Sequence, residues 1–362
     1  MKLKRSTVNN LIAYGIVIVA FIVCQSMVSA GAMSRSLRGQ LVPICVYIVM
    51  AVSLNLTVGI SGELSLGHAG FMSVGAFSGI VAAAWLESLI PEGAEAASLL
   101  ANDTVRLLLS MVVGGVFAGI AGVIIGVPVL RLRGDYLAIV TLAFGEIIRN
   151  VLNCLYVNVE SRRIHVAFNS PQIPGKLVLN GPAGATGVSR ISTFVIGFVL
   201  ILFTLFVVLN LINSRSGRAI MACRDSRIAA ESVGINITKY RMMAFVTSAV
   251  LAGMAGALYG LNFSNLGAAK FNFNTSILIL VFVVLGGLGN IWGSIIAATV
   301  LTILPEALRG FDNYRMLVYA IVLILVMLAT NSPSAKAVFS RSAEGVKGIF
   351  TCKARKGGAA NG

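Results

Sequence analysis

Long apolar runs separated by short polar segments dominate the chain, and this pattern predicts membrane-spanning helices. Most runs approach the roughly 20 residues that a helix needs to cross a bilayer. About ten helices are expected, over residues 9–30, 39–60, 67–88, 104–130, 136–157, 191–213, 242–262, 276–290, 291–308 and 314–331. The predicted fold class is an all-α integral membrane protein. A transmembrane domain is expected over residues 1–332, followed by a basic, disordered tail over 333–362. For the first run a cleaved signal peptide is the alternative, because "MVSAGA" resembles a cleavage site.

One apolar tract is interrupted by glycines at residues 56–80, "LTVGISGELSLGHAGFMSVGAFSGI", and a second glycine-rich junction, "GGLGNIWGS", covers 286–294. Irregular backbone at membrane depth persists only where it is buried in protein or lines a water-filled cavity. Paired broken or re-entrant helices in two halves of a chain indicate the translocation pathway of a transporter. The predicted gate and pathway residues are Asn55, Gly59, Gly62, Glu63, Ser65, Gly67, His68, Gly70, Gly286, Gly287 and Gly289.

Plainer interpretations of these residues stay open. The first junction could be a simple cytoplasmic turn, Glu63 a carboxylate in contact with water, and His68 a hydrogen-bonded packing residue. In the gate interpretation, Glu63 and Ser65 hold the broken helix ends. After the break, glycines recur every four or five residues up to Gly79, which predicts close packing on a neighbouring helix. Further along, Glu146 and Arg149 are spaced to pair on one helix, for function or for structure.

The distribution of charge gives the expected orientation. Only 11% of the residues are charged, 57% are hydrophobic, and the net charge is +15. Basic residues are concentrated in loops and at the chain ends, which is typical of cytoplasmic segments and excludes a nucleic-acid-binding surface. The segment 214–241 is predicted to be cytoplasmic, whereas 89–103, without Lys or Arg, and the polar loop 158–189 are predicted to be periplasmic. Both termini are therefore expected in the cytoplasm.

Catalytic signatures are missing from the sequence. There is no P-loop GxxxxGK[ST], no GxSxG and no HExxH, so an enzyme is not predicted. The five cysteines include no CxxC, and with two histidines they suggest neither a metal site nor a disulfide framework. No cofactor is expected.

The loop 214–241 contains "DSRIAAESVGIN", which predicts a short helix that begins near Asp225 and ends at a left-handed Gly234. Small residues inside this helix suit docking in a groove of another protein. A solvated loop is the alternative.

Four blocks, at 53–77, 130–149, 224–260 and 284–298, resemble the LivM-type permeases of branched-chain amino acid ABC importers. The resemblance implies a bacterial inner-membrane subunit that passes Leu, Ile or Val, delivered by a periplasmic binding protein. It also implies a second, LivH-like permease and two ATPase subunits, which would bind the ATP. The loop helix would then contact the ATPase through Asp225, Ala229, Ala230, Glu231 and Gly234.

Two rival functions stay open at this point. A related ABC permease could carry urea, short amides or another small solute, and its motifs would be similar. A secondary transporter or channel would work alone, and the coupling-like loop argues against it.

Overall fold

The computed structural model describes residues 5–31, 34–89, 102–132, 135–160, 163–168, 176–308, 314, 317–321 and 323–324. Its helices are α1 (Arg5–Ser29), α2 (Arg35–Asn55), α3 (His68–Ser88), α4 (Asp103–Val129), α5 (Asp135–Asn153), α6 (Phe194–Asn213), α7 (Arg215–Asp225), α8 (Arg227–Ser232), α9 (Ile237–Gly260), α10 (Phe273–Gly286) and α11 (Ile291–Ala307). Three strands follow α5, namely β1 (Leu155–Glu160), β2 (Arg163–Phe168) and β3 (Lys176–Asn180).

Six helices among the described residues are long and apolar enough to cross a membrane. They are α2 with its π-helical extension to Ile60, α3, α4, α5, α6 and α9. Further apolar segments within α1, α10 and α11 are shorter. The fold is therefore that of a helical, multi-pass membrane protein, and the predicted count of ten crossings stays a prediction. Most of the predicted tenth helix, 314–331, lies outside the described residues.

The centre of the bundle is a close-packed group formed by α3, α4 and α9. A Cβ atom on Gly75 would overlap the backbone of Gly253, and one on Gly79 would lie 2.6 Å from the Ala257 Cβ. A Cβ on Gly256 would overlap the Met72 carbonyl. Backbones this close exclude larger side chains, so small residues let these helices pack through van der Waals contact. The predicted packing role of the glycines after the break is confirmed.

A small antiparallel sheet with strand order β2-β1-β3 follows α5. The prediction that a helix continues to residue 157 and leads into a plain loop is wrong. The helix ends at Asn153, and "LYVNVE" then alternates with a period of two, burying Val157 and Val159 and pairing with strands on both sides. The start of the next long helix, predicted at about 242, lies five residues earlier at Ile237, because Asn236 caps α9.

The helix directions place the sheet and the loop 214–241 at opposite ends of the bundle. Near the sheet, Ile80 and Glu87 at the end of α3 line a small cavity with Val178 of β3. At the other end, α7 packs on the start of α9 and on the π-helical turn after α2. The bundle therefore has two distinct surfaces, each built around one of the long polar segments.

The chain divides into two compact units, residues 1–303 and 304–362. In the second unit the described residues are 304–308, 314, 317–321 and 323–324, and 317–321 is helical. The predicted tail at 333–362, the greater part of the predicted periplasmic loop 89–103, and the first four residues lie outside the described residues.

Candidate functional site

The first predicted break is a real interruption between α2 and α3. The last turn of α2 widens into a π-helix at Leu56–Ile60, and residues 61–67 are not helical. Gly62 has a backbone φ of +76°, which residues other than glycine rarely adopt. A Cβ on Gly67 would overlap the carbonyl of Thr141 in α5. The Thr141 hydroxyl accepts a 3.0 Å hydrogen bond from Leu66 N–H, so α5 supports the broken segment directly.

The second predicted break connects α10 to α11 in a tight hairpin. Gly287 and Gly289 both have positive φ values, +91° and +81°. The backbones of Gly286 and Gly293 approach so closely that a Cβ on either residue would overlap the other. The two short helices are therefore joined by a turn that only glycine can form.

The two breaks lie against each other. The Asn55 Oδ1 atom accepts a hydrogen bond of 2.8 Å from Gly289 N–H, and its Nδ2 donates to the Ser294 hydroxyl at 2.9 Å. A Cβ on Gly59 would overlap the Gly289 amide nitrogen. Asn55 and Ser294 are fully buried. The structure thus brings Asn55, Gly59 and the Gly286–Gly289 turn into one cluster.

Two arginines of the loop 214–241 hold the first break. Arg224 Nη1 donates a 2.8 Å hydrogen bond to the Gly59 carbonyl, and its side chain lies over Gly62, where a Cβ would be 2.6 Å from its Cγ. Arg241 Nη1 lies 2.5 Å from the Glu63 carboxylate, and both side chains are largely buried. Sequence reasoning did not select either arginine. The available signal was Glu63 itself, since a buried carboxylate needs a cationic partner.

The interior of the break is polar and incompletely satisfied. Burial raises the pKa of the Glu63 carboxyl, while the charges of Arg241 and Arg227 oppose this shift. The hydroxyls of Thr57, Ser61 and Ser65 are buried without a hydrogen-bond partner among the described residues. The expectation that Ser65 holds the broken ends is therefore not met, because its hydroxyl contacts no polar group there. Glu63 does hold them, through its arginine.

His68 occupies a packing position at the start of α3. Its Nε2 shares a hydrogen bond of 2.8 Å with the Ser53 hydroxyl, which also lies 3.0 Å from the Met50 carbonyl oxygen. The ring packs edge-on against Phe71. These contacts of the imidazole match the alternative of a hydrogen-bonded packing histidine. In the same turn of α3, a Cβ on Gly70 would come within 2.9 Å of the Gly145 Cα of α5.

The loop 214–241 folds as two short helices. Ser226 caps α8, so this helix begins near Asp225, as predicted. Asp225 itself is the last residue of α7 and pairs with Arg224. The Ser226 hydroxyl accepts the capping hydrogen bond from Ala229 N–H. Gly234 ends the helix with a φ of +81°, as predicted.

The surface of α8 combines a small buried face with an exposed apolar one. Ala230 is buried against Cys223 and Ile237, while Ala229 is exposed and Glu231 pairs with Arg227 at 3.7 Å. Two large side chains that sequence reasoning missed, Ile228 and Val233, are 83% and 77% exposed. Their signal was present in the sequence as apolar residues within a charged loop.

Within the described ranges, no group of His, Cys, Asp and Glu is placed to hold a metal ion. The polar groups that converge on the break bind and orient one another, through Asn55 at the second break and through Arg224 and Arg241 at the loop.

Residues 37–327 match the family model described as "Branched-chain amino acid transport system / permease component". The chain belongs to this family. The family is a component of a transport system and is not an enzyme family. No solved structure gives a significant match to this permease.

Curated relatives agree with the family. The permease is 32% identical over 305 residues to the high-affinity branched-chain amino acid transport system permease protein LivM of Escherichia coli (strain K12), covering 78% of this chain and 66% of that protein. It is 25% identical over 266 residues to a probable LivM of Methanocaldococcus jannaschii, covering 67% and 73%. Escherichia coli LivH is 34% identical over 137 residues, covering 37% and 44%.

Proposed function

We propose that this permease is one of two membrane subunits of an ATP-driven ABC importer in a bacterial inner membrane. It would pass leucine, isoleucine and valine, delivered by a periplasmic binding protein, into the cytoplasm. The proposal rests on the direct contact between the loop 214–241 and the first break. Arg224 and Arg241 make that connection through Gly59 and Glu63.

The connection suggests how the energy of ATP reaches the pathway. An ATPase that binds the exposed apolar side chains of α8 would displace α7 and the start of α9 when its two subunits close. Both arginines lie on these elements, so the Gly59 carbonyl and the Glu63 carboxylate would move with them. Packed helices change between discrete arrangements rather than deforming continuously. The non-helical segment 61–67, tied to the loop and to α5, is suited to be the part that switches.

The orientation follows from charge. The loop 214–241 carries the basic residues Arg215, Arg218, Arg224, Arg227, Lys239 and Arg241, and basic loops between spans face the cytoplasm. The end of the bundle with the two breaks would then be cytoplasmic and the sheet end periplasmic, where the binding protein would dock. Both termini would be cytoplasmic.

The choice of partners and substrate is supported by the relatives. Those that match most of the chain are named LivM, and LivH matches a shorter part, which indicates a pair of related permeases. The match covers 66% of the length of the Escherichia coli LivM, so transport of branched-chain amino acids is a proposal for this chain. ATP would be bound by partner subunits.

Reconstitution of the complete importer in proteoliposomes tests the proposal. ATP-dependent uptake of radiolabelled leucine is expected, with competition by isoleucine and valine and none by urea. Uptake of urea in place of leucine would assign the complex to the related solute importers. Solute flux through the purified chain alone, driven by an ion gradient, would refute the ABC assignment.

A further inference from the structure

The helix α5 differs from the other five spans in two ways. It has the lowest mean hydropathy of the six, and only 17% of its residues are buried, against at least 44% in the others. A span that faced lipid over so much of its surface should be the most apolar one. α6 provides the contrast, because it has the highest mean hydropathy and also leaves large apolar side chains exposed.

The covered side of α5 is the side that supports the break. Thr141 contacts Gly67, which immediately precedes α3, and Gly145 contacts Gly70 in the first turn of α3. The opposite side is open and carries Tyr136, Ile139, Ala143, Ile147 and Asn150. These positions recur every three or four residues, so they form one continuous stripe along the helix.

A charged pair lies at the border between the two sides. Arg149 Nη2 is 2.7 Å from the Glu146 Oε2 atom, and both side chains are about one-third exposed (29% and 33%). The Arg149 Nε–H has no acceptor among the described residues. Asn150 lies beside the pair on the exposed stripe. Charged residues in a span almost always face protein or a water-filled cavity rather than lipid, so this face of α5 is not a lipid-facing surface.

The pair matches the polar part of an amino acid. A zwitterion carries an ammonium, which a carboxylate binds, and a carboxylate, which a guanidinium binds with its directed donors. Apolar residues Ala143 and Ile147 continue the stripe next to the pair, where an aliphatic side chain would lie. We propose that Glu146 and Arg149 bind the α-ammonium and α-carboxylate of the amino acid as it passes along α5. The proposal rests on the proposed function and names the contact that the substrate makes inside the membrane.

The decisive variant removes both charges at once. Glu146→Leu together with Arg149→Met leaves no unpaired charge in the span, and replacing an ion pair by apolar residues is often neutral for stability. The importer is expected to assemble and to hydrolyse ATP, while the rate of leucine uptake falls at least tenfold. Leucine uptake within twofold of the wild-type rate would assign the pair to structure alone and overturn the proposal.

If the double variant does not assemble, thiol labelling of a cysteine on the exposed stripe of α5 tests the proposal instead. Asn150→Cys, in a chain whose five native cysteines are replaced, is treated in the assembled importer with a membrane-impermeant thiol reagent. Labelling that leucine and its binding protein slow is expected, whereas Phe203→Cys on the exposed apolar face of α6 should stay unlabelled. No labelling of Asn150→Cys, or labelling that leucine leaves unchanged, would overturn the proposal. Leucine uptake by the wild-type importer tests the proposed function separately.

Discussion

Asn55 and Gly289 are 234 positions apart in the chain, and a hydrogen bond of 2.8 Å joins the buried Asn55 side chain to the Gly289 N–H. This bond connects the end of α2 to the turn between α10 and α11. The side chain of Asn55 uses both of its polar atoms, because its amide also donates to Ser294. The side chain of Asn55 therefore joins the two glycine-rich breaks into one structural unit.

Asn55→Leu should destabilise this unit. The substitution keeps a similar volume but removes the acceptor of the part-buried Gly289 N–H and the donor to the Ser294 hydroxyl, and each lost hydrogen bond costs about 0.5–1.5 kcal/mol. Thermal unfolding of the purified permease measures the loss. Ser294→Ala is the comparison variant, because it removes the hydroxyl that contacts the Asn55 amide and the Asn290 carbonyl but leaves the bond between Asn55 and Gly289 in place. An Asn55→Leu chain as stable as the wild type would show that the bond does not hold the breaks together.

Gly67→Ala should impair uptake. The added Cβ would overlap the Thr141 carbonyl, and overpacking of this kind costs about 1–3 kcal/mol. The segment must then shift away from α5, and leucine uptake by the reconstituted importer should fall strongly while the complex still assembles. Gly39→Ala is the control, because nothing lies within 4 Å of the new methyl group. Equal uptake by the two variants would argue against a gate at this position.

Ile228→Ser and Val233→Ser should weaken the attachment of the ATPase. Both side chains are exposed, so each substitution should change the stability of the permease by no more than about 0.5 kcal/mol. The amount of ATPase that co-purifies with the tagged chain should fall for either variant and fall further for the two combined. Ser232→Ala on the same exposed helix is the control. Unchanged recovery of the ATPase would place its contact elsewhere.

The positions of the long helices could be predicted from the sequence because apolar length is a local property. The third and sixth predicted helices begin within three residues of α3 and α6. The sheet after α5 was missed because its strands are short and lie in a polar segment, where their pairing depends on contacts between distant residues. Both breaks could be predicted from their glycine-rich sequences, since tight turns and closely packed backbone segments need glycine.

Other parts of the site depend on contacts that no local pattern carries. The sequence placed Arg224 and Arg241 in a basic loop and Glu63 in a break, but nothing local indicated that they meet. The sequence indicated that the loop helix begins near Asp225, but Asp and Ser are both good caps, and only the backbone conformation selects Ser226.

In the proposed mechanism, the loop 214–241 moves the first break through the pair of Arg241 and Glu63. A direct test is the number of leucine molecules taken up per ATP hydrolysed by the reconstituted Glu63→Gln, Arg241→Gln double variant. The control, Lys239→Gln, removes an exposed charge from the first turn of the same helix.

Both charges are replaced together, so neither is left buried without a partner. ATP hydrolysis should continue in the double variant, with a ratio of leucine to ATP about tenfold lower, a change within the range that typical coupling energies between sites produce. The Lys239→Gln importer should keep the wild-type ratio. A double variant with the wild-type ratio would contradict this mechanism, because ATP hydrolysis would then drive the pathway without this contact.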